Sequence, residues 1–265
     1  MIRPVKSLGQ NFLRDENIIK KIINEINPLP NETVIEIGPG EGALTKHLIK
    51  SEAAFTAIEY DRRAVEHLQI EFPTLKIIQN DFLKFDLKSL SKDKLRIVGN
   101  IPYNITSPII FKMLENRELV NDSVMMIQYE VAKRITSKIG TKDYGILSVL
   151  LNTFAETKFC FKVSPNVFYP KPKVDSAVIH IYFNKKIDPE LNEELFIKLV
   201  KASFNNRRKT LKNSLSNSIF RVYDLNKIDF DFSKRAEQLT ISEFINLAKI
   251  FDNLTNEWKN WQNRC

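Results

Sequence analysis

The sequence has few of the residues that build covalent or metal-held frameworks. Only two of its 265 residues are cysteine. Cys160 and Cys265 stand far apart and without metal-ligand spacing, which excludes a disulfide framework or a zinc site and fits a reducing compartment. The three histidines, His47, His67 and His180, are scattered and match neither a catalytic triad nor a metal-binding spacing, so no metal is expected. No apolar run approaches the roughly 18 residues of a membrane span. The opening "MIRPVKSLGQ" also lacks the apolar stretch of a secretory signal. The expectation is a cytoplasmic protein without a membrane partner. Repeats and low-complexity segments are absent as well, which excludes solenoids and tails.

A normal hydrophobic content of 43% can fill a core, and the length suits one large domain or a main domain with an appendage. The formal net charge of +8 points to a polyanionic partner such as nucleic acid. Five apolar runs recur with room for a helix between them: "TVIEIG" (33–38), "AFTAIE" (54–59), "LKIIQND" (75–81), "LRIVGN" (95–100) and "SVMMIQ" (123–128). Such runs alternating with helical segments such as "GALTKHLIK" and "RAVEHLQIEF" predict an α/β fold, a parallel sheet covered on both faces. Two later runs, 157–164 and 176–183, joined through a Pro-rich loop without a helix, predict an edge hairpin. After about 184 no strand pattern remains, so the predicted domains are 1–184 and an all-helical 185–265. Asp15 is the candidate cap of a helix in "DENIIKKIINEI".

The strand ends carry the chemistry. Gly38, Gly40 and Gly42 occupy the turn after the first strand, where a missing side chain lets backbone approach a nucleotide-like ligand and a helix N-terminus offers N–H groups. Glu59 ends the second strand, where a carboxylate can hold both hydroxyls of a ribose. An NAD-type fingerprint fits these residues equally, so the turn alone does not choose a cofactor. Asp81 ends the third run and can bond an adenine amine; Asn100 ends the fourth. Four strand ends thus face one rim, where ligands of open α/β sheets bind.

Residues 99–105, "GNIPYNI", then acquire a mechanism. An adenine amine is a poor nucleophile because its lone pair is delocalised into the ring. Two acceptors on its N–H groups, the Asn100 side-chain oxygen and the Ile101 carbonyl, favour a tetrahedral nitrogen aimed at an electrophilic methyl. Pro102 biases Ile101 towards extended backbone. Tyr103 offers a stacking face to a base taken out of its stack.

Five ordered motifs, "GQNFL" (9–13), "EIGPGEGALT" (36–45), "GNIPYNI", "VFYPKPKVDSAV" (167–178) and "NNRRKTLKNSL" (205–215), resemble the ribosomal RNA small-subunit adenine N6,N6-dimethyltransferase family of the KsgA type over nearly the whole chain. The resemblance implies a Rossmann-like methyltransferase sheet with a small helical C-terminal RNA- or ribosome-binding domain. It implies S-adenosylmethionine as cofactor and dimethylation of two adjacent adenosines near the 3′ end of small-subunit rRNA. The expected partner is that rRNA within a partly assembled ribosomal subunit, and the expected state is a monomer. Carried over by motif position, Asn11 and Leu13 close over the methionine part of the cofactor, Gly38 and Gly40 belong to its floor, Glu59 holds the ribose and Asp81 binds the adenine. Asn100 lies between cofactor and target amine. Tyr103 stacks on the target base, with Phe168 as second wall, although the chain has eighteen phenylalanines and most must be core. Arg207, Arg208, Lys209 and Lys212 are candidate phosphate contacts, or an ordinary solvated helix face. The one visible departure is Ile101, where many members carry Leu. Rival readings are an Erm-type enzyme of large-subunit rRNA, which shares "NIPY", a non-catalytic assembly factor that keeps the fold, and an NAD-dependent oxidoreductase, which leaves "NIPY" unexplained.

Overall fold

Val and Ile runs that cannot tolerate water on either side become strands, and the computed structural model, which describes residues 2–91, 93–206 and 208–262, places them in one sheet. Its strands are β1 (Phe12–Leu13), β2 (Thr33–Ile37), β3 (Ala54–Glu59), β4 (Ile77–Gln79), β5 (Leu95–Asn100), β6 (Val120–Gln128), β7 (Glu156–Val163), β8 (Phe168–Tyr169) and β9 (Ser176–Tyr182). The helices are α1 (Glu16–Ile26), α2 (Thr45–Leu48), α3 (Arg62–Glu71), α4 (Thr106–Glu115), α5 (Tyr129–Ile135), α6 (Ile146–Phe154), α7 (Glu193–Ser203), α8 (Leu211–Ser216) and α9 (Ile241–Gln262). Among the described residues no helix is long and apolar enough to cross a membrane.

Seven strands pair in the order β4-β3-β2-β5-β6-β9-β7, whereas β1 and β8 form a separate two-stranded ladder. The pairs from β4 to β6 are parallel, and β9 runs antiparallel to both β6 and β7, so the predicted edge hairpin is present. Val34 and Ile35, on opposite faces of β2, are both fully buried, as a sheet covered on two sides requires. The chain leaves β2 towards β3 on one side and returns past it to β5 on the other. That reversal opens a crevice at the carboxyl ends of β2 and β5. Asp15 caps α1 by accepting from the N–H groups of Asn17 and Ile18, each at 2.9 Å.

The chain divides into two compact units. One takes in the residues up to Ala132 together with Ala155–Asn184; the other takes in Lys133–Phe154 together with the chain from Lys185. Residues 133–154 thus differ from the two-piece division expected of 1–184 and 185–265. The reason is the composition of α6, which buries Ser148, Val149, Leu150, Leu151, Thr153 and Phe154 and so needs cover on nearly every side. Phe154 meets Phe196 of α7 edge-on at 5.8 Å, and the Tyr144 hydroxyl donates to the Leu239 carbonyl at 3.1 Å. Within the stretch expected to be all-helical, α8 begins only at Leu211, because Thr210 is extended (φ −67°, ψ 162°) and caps it through Asn213 N–H. Arg207 and Cys265 lie outside the described residues.

Candidate functional site

The turn after β2 sets the floor of the site. Gly38, Gly40 and Gly42 all take left-handed φ values of 61°, 58° and 85°, which only glycine adopts freely three times in five residues. A Cβ built on Gly38 would meet nothing within 4 Å, so that stretch of backbone faces open space. The space is a cavity of about 270 Å³ walled by residues 7–13, 36–41, 43–44, 58–61, 80–83 and 100–105. Asn11, Leu13, Gly38, Gly40, Glu59, Asp81, Asn100, Ile101, Pro102 and Tyr103, ten positions named from the sequence, therefore meet around one void.

Glu59 enters it from the end of β3, buried, with one carboxylate oxygen accepting from Gly40 N–H at 3.1 Å and the other from Asp61 N–H at 2.8 Å. Burial pushes its carboxyl above the usual range, which those N–H donors and that of Tyr60 partly offset. A second acid, Glu36, was not singled out from the sequence. It is 2% exposed, accepts from the Thr45 hydroxyl at 2.6 Å, and burial, with Glu59 nearby, pushes its carboxyl up to about 8. Its signal was legible as an acid inside the apolar run "TVIEIG". Asp81 accepts from Leu83 N–H at 2.9 Å, which curls the loop behind it. Lys112 from α4 holds that loop by donating to the carbonyls of Leu83 (3.0 Å) and Phe85 (2.5 Å), and it stands 5.5 Å from the centre of the Phe82 ring.

The N-terminal segment forms another wall. Gln10 donates to Asp61 at 2.8 Å and accepts from Val5 N–H at 2.9 Å, while Ile2 N–H donates to Glu41 at 2.8 Å. Asp61 is held below the usual carboxylate range, chiefly by its hydrogen bond with Arg63. Gln10, Glu41 and Asp61 were also missed: their role depends on pairing across 39 to 51 residues, which no local pattern encodes.

Gly99 precedes the motif because β5 passes β2 so closely that a Cβ there would lie 2.5 Å from the Ile37 carbonyl oxygen. Asn100 then donates its side-chain N–H to the Asn11 carbonyl at 2.9 Å, and Asn11 donates in turn to the Gly9 carbonyl at 3.2 Å. With its nitrogen used in this way, the Asn100 amide keeps its oxygen as an acceptor. Ile101 is buried, and its N–H donates to Met126 at 3.0 Å. Pro102 (φ −55°, ψ 132°) leads into the turn Tyr103–Ile105. Tyr103 is half-buried, its hydroxyl is 2.6 Å from Ser176 Oγ, and burial raises its pKa.

Phe168 is not among the residues lining the cavity. It faces Leu13 across the β1–β8 ladder and is buried in the cluster containing Leu13, Val98, Met126 and Val178, so strand alternation directs its ring into the core. Arg208, Lys209 and Lys212 lie in the other unit, all exposed, with Lys212 donating to Asn226 at 2.9 Å.

A family model described as ribosomal RNA adenine dimethylase matches residues 3–253. A ribosomal RNA small subunit methyltransferase A of Chlorobium phaeobacteroides is 47% identical over 244 residues, covering 91% of this chain and 89% of that protein. The protein of the same name from Francisella tularensis subsp. novicida is 42% identical over 250 residues, covering 92% and 95%. Among solved structures, a dimethyladenosine transferase from Plasmodium falciparum superposes with a TM-score of 0.73 at 25% identity, covering 91% of this chain and 96% of the other. The 23S rRNA methyltransferase ErmE gives 0.67 at 27% identity, covering 91% and 100%. The rim of glycines, acids and "NIPY" thus sits in a chain that belongs to the ribosomal RNA adenine dimethylase family.

Proposed function

We propose that this chain dimethylates the exocyclic amines of two adjacent adenosines near the 3′ end of small-subunit rRNA, acting as a cytoplasmic monomer on a partly assembled subunit. The observation that carries the reading is the placement of Asn100, anchored through its nitrogen on Asn11, at the wall of the same cavity that holds Gly38, Glu59 and Asp81. The cavity suits S-adenosylmethionine: bare backbone at Gly38, a carboxylate on the rim for a diol and a second acid for an amine. Gly38, Gly40, Glu59 and Asp81 would hold it with Asn11 and Leu13; when bound it supplies an electrophilic methyl.

The chain's own residues do the rest by position. The Asn100 oxygen and the Ile101 carbonyl accept from the target amine, and Pro102 fixes the direction of that carbonyl. Tyr103 stacks on the base, with its ring tethered at the hydroxyl by Ser176. Catalysis is then orientation and electrostatics, with no covalent intermediate on the protein. Arg208, Lys209 and Lys212, with Arg207, contact RNA phosphates. An Erm-type activity on large-subunit rRNA is the alternative that the likeness to ErmE raises, but the 42% and 47% identities to proteins named for the small subunit favour the first reading.

The test is incubation with labelled S-adenosylmethionine and unmethylated small subunits, large subunits or bare RNA, followed by mapping of the methylated nucleotide. Label on paired adenosines of the small subunit is expected. Label confined to large-subunit rRNA would replace the reading with the alternative, and no label on any RNA would remove both.

A further inference from the structure

Residues 168–176, "FYPKPKVDS", are fixed to the site at both ends. At one end the β1–β8 ladder pairs Phe168 with Leu13 and Tyr169 with Phe12, and both partners line the cavity. At the other, Ser176 Oγ lies 2.6 Å from the hydroxyl of Tyr103. Phe168, Pro172 and Ser176 are buried, one in every four residues, so the loop is pinned at its middle as well as at its ends.

Among what the pins leave outside are one aromatic ring and two cations. Tyr169 is 58% exposed, because neighbouring residues of a strand face opposite ways and Phe168 takes the inward side. Lys171 and Lys173 are exposed on either side of Pro172, and neither has an ion-pair partner among the described residues. The loop's one acid, Asp175, is paired with Lys162 at 2.7 Å, which offsets the negative charge that would repel a polyanion. A rigid loop carrying an open ring followed by two cations without ion-pair partners has the chemistry that takes single-stranded nucleic acid, the base on the ring and the phosphates on the cations. An exposed tyrosine of no function would have no reason to be held this firmly against Phe12, a residue of the cavity wall.

We propose that the 169–173 loop clamps the RNA strand beside the reacting adenosine: Tyr169 stacks on a neighbouring unpaired base, and Lys171 and Lys173 hold its flanking phosphates. This rests on the RNA reading of the site given above and adds to it the contacts that set which strand enters. It also gives the "VFYPKPKVDSAV" motif a role on its exposed face, beside the one that the resemblance implies for Phe168.

The experiment uses the full chain, a fluorescent RNA hairpin with adjacent adenosines in its loop, and calorimetric S-adenosylmethionine binding as the check on folding. Tyr169→Ala should weaken hairpin binding about tenfold, the range of one lost base stack, with cofactor affinity unchanged, and Tyr169→Phe should restore it. The double variant Lys171→Gln/Lys173→Gln should reduce the slope of log affinity against log salt by about 1.4, the single-strand value for two phosphate contacts. Hairpin affinity and slope within twofold of the parent in both variants, while the parent still methylates RNA, would overturn the clamp and leave the activity standing. A parent that neither binds nor methylates RNA would overturn both. Tighter binding of an acidic peptide than of the hairpin, lost in the same variants, would reassign the loop to a protein partner.

Discussion

The two ends of the parallel sheet bury charge in opposite ways. At the carboxyl ends, Glu36 and Glu59 have no cation against them among the described residues; they rest on the Thr45 hydroxyl and on backbone N–H groups beside a void. Near the start of β5 and β6, Arg96 donates to both oxygens of Asp122 (2.8 and 2.7 Å) and to Glu32 (2.6 Å). His180 stands between Asp122 and Glu25, 2.7 Å from each, and Lys158 closes the chain on Glu25. In this second cluster every charge meets an opposite one, which is how a buried ionic group becomes structural. In the first, polar groups face a space that a ligand must fill. The histidine that fits no triad in the sequence thus belongs to the framework, and Glu36 and Glu59 are marked by the cation they lack, whereas Asp61 beside them has Arg63.

The difference can be broken first at the framework. Asp122→Ala strands the buried Arg96 and His180 and should cost about 3–5 kcal/mol, read as a drop in the urea midpoint. Burial opposes the charge of Asp122, but His180 and Arg96 outweigh it and hold the carboxyl below its ordinary value. A lowered folded pKa contributes stability above the unfolded value, near 4, and loses it as the pH falls. The variant and the parent should therefore begin to converge near pH 4 and meet only below the lowered folded value, and cofactor affinity of the folded variant should not change.

At the other end the sign reverses. Glu36, pushed up to about 8, binds its proton more tightly in the folded chain, so it lowers stability as pH rises from about 4.5 to 8. Glu36→Gln removes that titration. Its stability should gain on the parent's across this window, by up to about 1.4 kcal/mol per pH unit, and a constant difference would show Glu36 already ionised. A smaller effect should follow from Ser176→Ala, which frees the Tyr103 hydroxyl. Loss of about 1 kcal/mol of orientation predicts methyl transfer about fivefold slower at unchanged cofactor affinity. Combining it with Tyr103→Phe should add little, since both remove one bond.

Much of this was legible in the sequence for a physical reason: strands buried on two faces must be continuously apolar, so β2, β3, β5 and β6 announce themselves, and their ends fall where a polar residue interrupts the run. Three of the seven glycines stand within residues 38–42, which marks the turn. What was not legible depends on partners distant in the chain. Residues 133–154 join the C-terminal unit because α6 needs cover that only α7 and its neighbours supply, and no local signal names the partner. Phe168 and Tyr169 are both aromatic, and only the register of β8 on β1 decides which of them is buried.

The central claim is that Asn100, held by its nitrogen on Asn11, acts on the target amine and not on the stability of the fold or the cofactor. Single-turnover methyl transfer to unmethylated small subunits and calorimetric S-adenosylmethionine binding, measured on one preparation of Asn100→Ala, test it together. The account predicts transfer slowed by at least about 10²–10³, the cost of one preorganised electrostatic contact, with cofactor affinity changed by no more than a few fold. Transfer at the parent rate, or a loss explained entirely by failure to bind the cofactor, would contradict it.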